Sequence, residues 1–276
     1  MTLSLAVRAW HVTRQGTNVN AEAGMTYRPL IIAHRGHSLL APEQTMAAYR
    51  TAAELGADMI EVDVRRSRDG VFLLMHDEAL DRTTSGTGPV ADLTWAELSA
   101  LDAGGWFGPE FAGERVPCLD ELFDFAEEAD VSLCLEAKGE TPREQRFVAS
   151  AIARELARRG RLDRDVVASF DHEALAEAGR VTPGLKLAPD RLPERGPSQA
   201  ETLITQARRI GAEIIQHHHA DLTPDVVRAT QEAGVAIWAW PATSAESIER
   251  VHAMGVVGLM GDDVAAIVKV VDRSLA

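Results

Sequence analysis

Positive charge is scarce in this chain of 276 residues: 28 Lys and Arg stand against 42 Asp and Glu, for a net charge of -14. That balance argues against nucleic acid or an anionic membrane as a bulk electrostatic partner. It leaves room for a phosphate ester held by a cation and a few Arg or Lys at one site. Cysteine is nearly absent. Cys118 and Cys134 have neither CxxC nor metal-ligand spacing, which removes a disulfide framework and a thiolate metal site. Two reduced thiols in a cytoplasmic protein are expected. No apolar run approaches the roughly 18 residues that would span a bilayer. What is present is ordinary for a globular domain: 46% hydrophobic and 25% charged residues. Residues 1–24 carry Arg8 and Arg14 but no acid before Glu22, and Leu3 to Val7 is too short for a signal-peptide core. They are expected to form a loose extension, with Met25 as an alternative start and residues 25–276 as the domain.

From there, apolar β-rich runs alternate with helical runs rich in Ala, Glu and Arg. Strands are predicted at Leu30 to His34, Asp58 to Val64, Val131 to Ala137, Val166 to Phe170, Leu185 to Ala188, Glu213 to His217, Ala236 to Trp240 and Val257 to Met260. Helices are predicted at Glu43 to Leu55, Leu119 to Ala129, Glu144 to Arg159, His172 to Ala178 (stopped by Gly179), Ala200 to Ile210, Pro224 to Ala233 and Ala245 to Met254. One further strand, Val71 to His76, follows Val64 after only Arg65 to Gly70. A parallel crossover needs about a dozen residues, so this gap, with its Asp69-Gly70, makes a hairpin. Asp77 to Arg115 is rich in Gly, Thr and Pro, has a short helical piece at Trp95 to Ala100, and reads as an insertion. Eight parallel strands in alternating βα units point to a TIM (β/α)8 barrel.

Four strand ends carry the chemistry: Ala33-His34-Arg35-Gly36, Ile60-Glu61-Val62-Asp63, Met75-His76-Asp77 and Leu135-Glu136-Ala137-Lys138. Side chains alternate across a strand, so Glu61 and Asp63 share one face and Ile60, Val62 and Val64 the other. Glu136 and Lys138 pair in the same way, with Ser132 and Cys134 beneath them as small interior filling. TIM-barrel sites gather at the C-terminal ends of the strands, where the hairpin also returns His76. Three carboxylates this close repel unless a cation joins them, and oxygen-only ligation suits Mg2+, Ca2+ or Mn2+ rather than zinc. A salt-bridge network with Lys138 or Arg35 is the structural alternative. His34 and His76 suit general acid–base work near neutrality, Arg35 offers a planar fork for phosphate, and Lys138 a point charge.

With Pro42-Glu43-Gln44-Thr45, Asp69-Gly70, Leu80-Asp81-Arg82-Thr83-Thr84, Ser169-Phe170, Trp238-Ala239-Trp240 and Gly261-Asp262 in the same order, the chain resembles the glycerophosphodiester phosphodiesterase family. The resemblance covers about Leu30 to Val270. It implies a TIM barrel with a small inserted module after the second strand, and metal-dependent hydrolysis of glycerophosphodiesters to sn-glycerol 3-phosphate and an alcohol. Glu61, Asp63 and Glu136 fall on metal-ligand positions for one divalent cation, Mg2+ or Ca2+, with Mn2+ also admitted. His34 and His76 fall on the acid/base pair, Arg35 and Lys138 on phosphate-binding positions, and Trp238 on a substrate wall. The resemblance also suggests the glycerol 2-hydroxyl as nucleophile, through a cyclic phosphate; water is the alternative. The chain departs from the family at Gln44, usually Asn, at Gly261, usually Thr, and around Trp238, where the usual Thr and Asn are lacking and Ala239 and Pro241 stand nearby. These departures are expected to bear on the alcohol more than on the metal.

A lysophospholipase D-type phosphodiesterase on the same scaffold is the nearest rival, and a non-catalytic binding barrel a more distant one. The expected partner is a small-molecule substrate, with no nucleic acid and no membrane span; oligomeric state is not readable. Two features stand outside these motifs. His217-His218-His219 ends a strand, where His217 or His219 could meet substrate or simply form a polar strand end. Trp106-Phe107 could wall a substrate tail or pin the insertion to the barrel.

Overall fold

Nine strands form one sheet in this computed structural model, which describes residues 28–192 and 197–275. They are β1 (Leu30–His34), β2 (Met59–Arg66), β3 (Phe72–Leu74), β4 (Ser132–Ala137), β5 (Val166–Ser169), β6 (Lys186–Pro189), β7 (Ile214–His218), β8 (Ala236–Trp240) and β9 (Gly258–Gly261). Eight run parallel in the order β6-β5-β4-β2-β1-β9-β8-β7. The two ends of that order meet through a parallel bridge between Asp190 and Gln216, which nearly closes a TIM barrel. The Gln216 side chain donates to the Ala188 carbonyl at 3.0 Å, and the Arg191 amide donates to the Gln216 carbonyl at 2.8 Å. Beside β2, β3 pairs antiparallel, as the short gap between them dictates. The predicted extension at residues 1–24 lies outside the described residues.

Strict alternation divides the core. Ile31, Ala33, Ile60, Val62, Val64, Leu133, Leu135 and Ala137 face outward beneath the helices. Ile32, Met59, Cys134, Val166, Ala168, Ala188, Ile214, Ala236, Trp238 and Met260 fill the lumen. A third cluster, with Leu73, Met75, Leu80, Val90, Leu98, Ala103 and Val116, gives the insertion its own small core. The hairpin turn anchors that insertion, since Arg68 donates to the Leu93 and Asp92 carbonyls and Asp69 accepts the Trp95 amide. Trp106, Phe107 and Phe111 stack edge to face within the insertion, at 5.5 Å between successive centroids.

Local chemistry moves some boundaries. The first helix spans Met46–Glu54, three residues later than its pattern predicts. Thr45 caps it, and Gln44 sits in the left-handed region at φ 57; Glu43 and Gln44 are drawn out of the helix by bonds into the barrel mouth. The helix predicted to stop at Gly179 runs from His172 to Val181, because a single interior Gly lowers helix stability by only about 1 kcal/mol. A helix over Val264–Leu275, absent from the prediction, completes the ring with buried Val264, Ile267 and Val271 at helical spacing. Gly36 is required where it stands: its φ is 85, and a Cβ there would meet Ala48 Cβ at 2.7 Å.

Candidate active site

The alternation that sends Ile32, Met59 and Cys134 into the lumen sends His34, Glu61, Asp63 and Glu136 to its upper rim. Register then sets them side by side: His34 pairs with Glu61 and Asp63 with Glu136. One oxygen from each of Glu61, Asp63 and Glu136 lies within 4.8 Å of the others. Glu61 and Asp63 are 4% and 1% exposed, so the cluster is withdrawn from water.

Two cations partly balance it. Lys138 Nζ lies 2.6 Å from Glu136 Oε1 and 2.9 Å from Asp63 Oδ1. Arg35, held at φ 59, turns its amide onto Glu61 Oε2 at 3.0 Å and brings Nε to 3.5 Å from Asp63 Oδ2. Burial raises all three acids, but unequally in outcome. At Asp63 it is outweighed by Lys138, Arg35 and His76, which bring the carboxyl down to about 2. At Glu61 burial and repulsion from Asp63 and Glu136 prevail, and the carboxyl is pushed well above the usual range. Glu136 is also raised, by burial, against the pull of Lys138. Three carboxylates gathered at one point, with Glu61 raised by burial and by its two acidic neighbours, make an all-oxygen donor set that fits a hard divalent cation.

Each histidine is held by an aspartate. His34 Nδ1 lies 2.7 Å from Asp262 Oδ1, which also accepts Ser38 Oγ at 3.1 Å. His76 Nδ1 lies 2.7 Å from Asp77 Oδ1. An aspartate on Nδ1 fixes the tautomer and leaves Nε2 for proton transfer. Burial holds His76 below its ordinary value, against the opposing pull of Asp63 and Asp77. Gln44 donates from Nε2 to Asp63 Oδ2 at 2.8 Å, while its Oε1 accepts the Tyr49 hydroxyl at 2.6 Å.

A barrel mouth with this carboxylate cluster has relatives. The model of the glycerophosphoryl diester phosphodiesterase family matches residues 34–266. The chain belongs to this family. A glycerophosphodiester phosphodiesterase of Caldanaerobacter subterraneus is 34% identical over 246 residues, covering 89% of this chain and 99% of that one. Among solved structures, an Oleispira antarctica phosphodiesterase in complex with the product sn-glycerol-3-phosphate superposes with a TM-score of 0.80. It is 27% identical and covers 89% of this chain and 97% of its own. A glycerophosphodiester phosphodiesterase from Agrobacterium tumefaciens has a TM-score of 0.71 at 30% identity, over 86% and 99% of the two chains.

Three expectations need correction within this family frame. Trp238 is wholly buried in the lumen with Ile32, Met59 and Met260, so it cannot wall a substrate. The indole at the mouth is Trp240, two residues on and on the same face of β8. Gln44 bears on the carboxylate cluster directly, through Asp63. Gly261 faces away from the mouth, since a Cβ there would meet the Ala242 carbonyl oxygen at 2.2 Å. In the histidine run, His217 is buried and its Nε2 meets Ser198 Oγ at 2.7 Å; His218 is the one beside Trp240, at 5.7 Å between centroids.

Other residues of the mouth carry no role in the sequence reading, although Phe170, Trp240 and Asp262 lie within the motifs quoted above. Phe170 meets Trp240 edge to face at 6.0 Å, with Lys138 Nζ 5.9 Å from the Phe170 centroid. Asp190 is 3% exposed at the end of β6, its carboxyl pushed up by burial and by Glu136 and Asp63, against Lys138. Asp262 follows β9 directly. A charged residue just past a strand end was the available signal for Asp262 and Asp190; for Trp240 it was its place as the last residue of its strand.

Proposed function

We propose that this chain hydrolyses glycerophosphodiesters to sn-glycerol 3-phosphate and an alcohol, using His34 and His76 as the acid–base pair and a divalent cation, Mg2+, Ca2+ or Mn2+. The observation that carries this reading is one rim bearing the Glu61–Asp63–Glu136 cluster together with two aspartate-held histidines. The product named in the Oleispira complex supports the substrate class. Glu61, Asp63 and Glu136 would hold the cation, which supplies charge neutralisation at the phosphoryl oxygens when bound. Arg35 and Lys138 clamp the phosphate from the two sides of Asp63. One histidine takes the proton of the attacking hydroxyl, and the other gives a proton to the leaving alcohol oxygen. Water as the attacker gives sn-glycerol 3-phosphate directly, whereas the glycerol 2-hydroxyl gives a cyclic phosphate that water then opens, with the two histidines exchanging roles. Asp77 and Asp262 hold the rings at Nδ1 through both transfers.

The test is release of sn-glycerol 3-phosphate from glycerophosphocholine, before and after chelation and with each ion restored. Release that falls on chelation and returns with one of the ions is expected. Undiminished turnover after chelation would overturn the cation's role, and no release under any ion would overturn the substrate class. A trapped cyclic phosphate would identify the glycerol hydroxyl as nucleophile.

One observation favours a lysophospholipase D-type reading. Leu39 and Leu40, in the loop after His34, are 50% and 65% exposed. A higher kcat/KM on an acylated glycerophosphodiester than on the deacylated one would support it. Among the described residues no helix is long and apolar enough to cross a membrane.

A further inference from the structure

Arg82 lies in the insertion, and its guanidinium spans two carboxylates from separate segments. Nε donates to Asp77 Oδ2 at 2.6 Å and Nη2 to Asp77 Oδ1 at 3.1 Å. Nη1 donates to Glu43 Oε2 at 2.6 Å and Nη2 to Glu43 Oε1 at 2.9 Å. Each carboxylate has a second duty. Asp77 Oδ1 is the atom that meets His76 Nδ1 at 2.7 Å, and Glu43 Oε1 accepts Arg35 Nη1 at 2.9 Å.

We infer that Arg82 is a positioning residue that locks the His76 limb and the Arg35 limb of the site into one register. The inference rests on the roles proposed above for those two residues. A planar fork with several donors can serve two carboxylates at once, which a lysine ammonium on a flexible stem cannot match. Asp77 and Glu43 are drawn to opposite sides of the same guanidinium, so the spacing between acid–base group and phosphate clamp is set by one rigid group. Its side chain is 45% exposed, while those of Glu43 and Asp77 are 13% and 30% exposed. A half-exposed ion pair contributes little to global stability. Its removal therefore leaves the fold standing and isolates the effect on geometry, where a misplacement of about 1 Å can cost on the order of a hundredfold in rate.

The experiment measures kcat, KM and thermal midpoint on glycerophosphocholine for Arg82→Ala, Arg82→Lys, Asp77→Asn, Glu43→Gln, the Arg82→Ala/Asp77→Asn double variant and His76→Ala. Arg82→Ala is expected to lose about ten- to a hundredfold in kcat and to raise KM several-fold, roughly by the geometric argument above, with the melting temperature little changed. Asp77→Asn should reproduce the kcat loss and Glu43→Gln the KM rise. Adding Asp77→Asn to Arg82→Ala should cost less than the same change in the parent chain, because both act through His76. Arg82→Lys should restore one constant and not both. Arg82→Ala with both constants near the parent values, a loss matched by unfolding, or fully multiplicative double-variant effects would overturn the inference, as would full rescue by Lys. If His76→Ala keeps full turnover, the assignment of His76 itself falls. If His76→Ala is inactive and Arg82→Ala is not, only the positioning role falls.

Discussion

The two halves of the barrel mouth use one geometry for different chemistry. Across β1, β2, β4 and the hairpin the rim carries His34, Arg35, Glu61, Asp63, His76, Glu136 and Lys138. Across β5 to β8 it carries Phe170, Asp190, His218 and Trp240. Both sets stand above the same apolar lumen layer. In the first half charges are cross-linked, each carboxylate of the cluster touching an Arg, a Lys or an amide donor. In the second half the contacts are ring on ring at 5.7 and 6.0 Å, over one buried carboxyl. The charged half can stabilise and move charge. The aromatic half can accept shape and apolar surface, which suits discrimination among alcohols more than bond cleavage.

Substitutions can break that contrast, beginning where the effect is greatest. His34→Ala or His76→Ala should lower kcat by about 10²- to 10⁴-fold with the fold intact by circular dichroism, whereas Trp240→Ala should change mainly KM and the ranking of alcohols. Equal losses in kcat on both sides would abolish the division of labour. Next, the two indoles of β8 should separate cleanly. Trp238→Ala is expected to destabilise by about 3–5 kcal/mol in denaturant melts, as removal of a large core ring does, and Trp240→Ala by far less. Third, Gln44→Ala removes a hydrogen bond from Asp63 and should weaken divalent-ion affinity by about 10- to 100-fold, read by calorimetry. A cation among these carboxylates favours their ionised forms, so ion affinity should rise with pH.

The smallest expected effect is on pH dependence. His76 is held below its ordinary value of 6.5, so it stays neutral in the folded chain where the unfolded chain has begun to protonate. Its contribution to stability is therefore complete above pH 6.5 and is lost as pH falls from there through the lowered folded value. The limb of the kcat/KM profile set by His76 should likewise lie below pH 6.5. Asp77→Asn removes an interaction that raises His76, so that limb should move lower still. An NMR titration of the ring is a direct check, and a limb at or above 6.5 would contradict the assignment.

The same contrast governs what is legible in the sequence. Strands β1 and β8 are predicted to the residue. The charged rim can be read because a Glu or His that interrupts an apolar run at period two is costly to bury without a partner, and so marks a site. The aromatic rim cannot be read in that way. Trp238 and Trp240 share a face, and only depth along the strand separates core from mouth. In β7 the apolar pair Ile214-Ile215 carries no alternation, so the parity that turns His218 rather than His217 to the mouth is hidden. The helix over Val264–Leu275 follows the last strand and lies beyond the pattern of crossovers that reveals the others. Gln44 escapes for a different reason: its left-handed backbone turns the amide inward to Asp63, which residue identity alone does not reveal.

The join between β6 and β7 gives this contrast a mechanical side. Elsewhere the barrel wall is laced by ladders of paired residues, six of them between β2 and β4 alone, directly beneath the carboxylates. Between β6 and β7 the described residues are fastened by one bridge, one side-chain amide and one further backbone bond. Few bonds need to break for that edge to open. The hoop is thus laced most densely beneath the carboxylates and fastened by few bonds beside Asp190. Local opening of the wall would therefore begin at the seam beside Asp190, on the side of the barrel opposite β1 and β2.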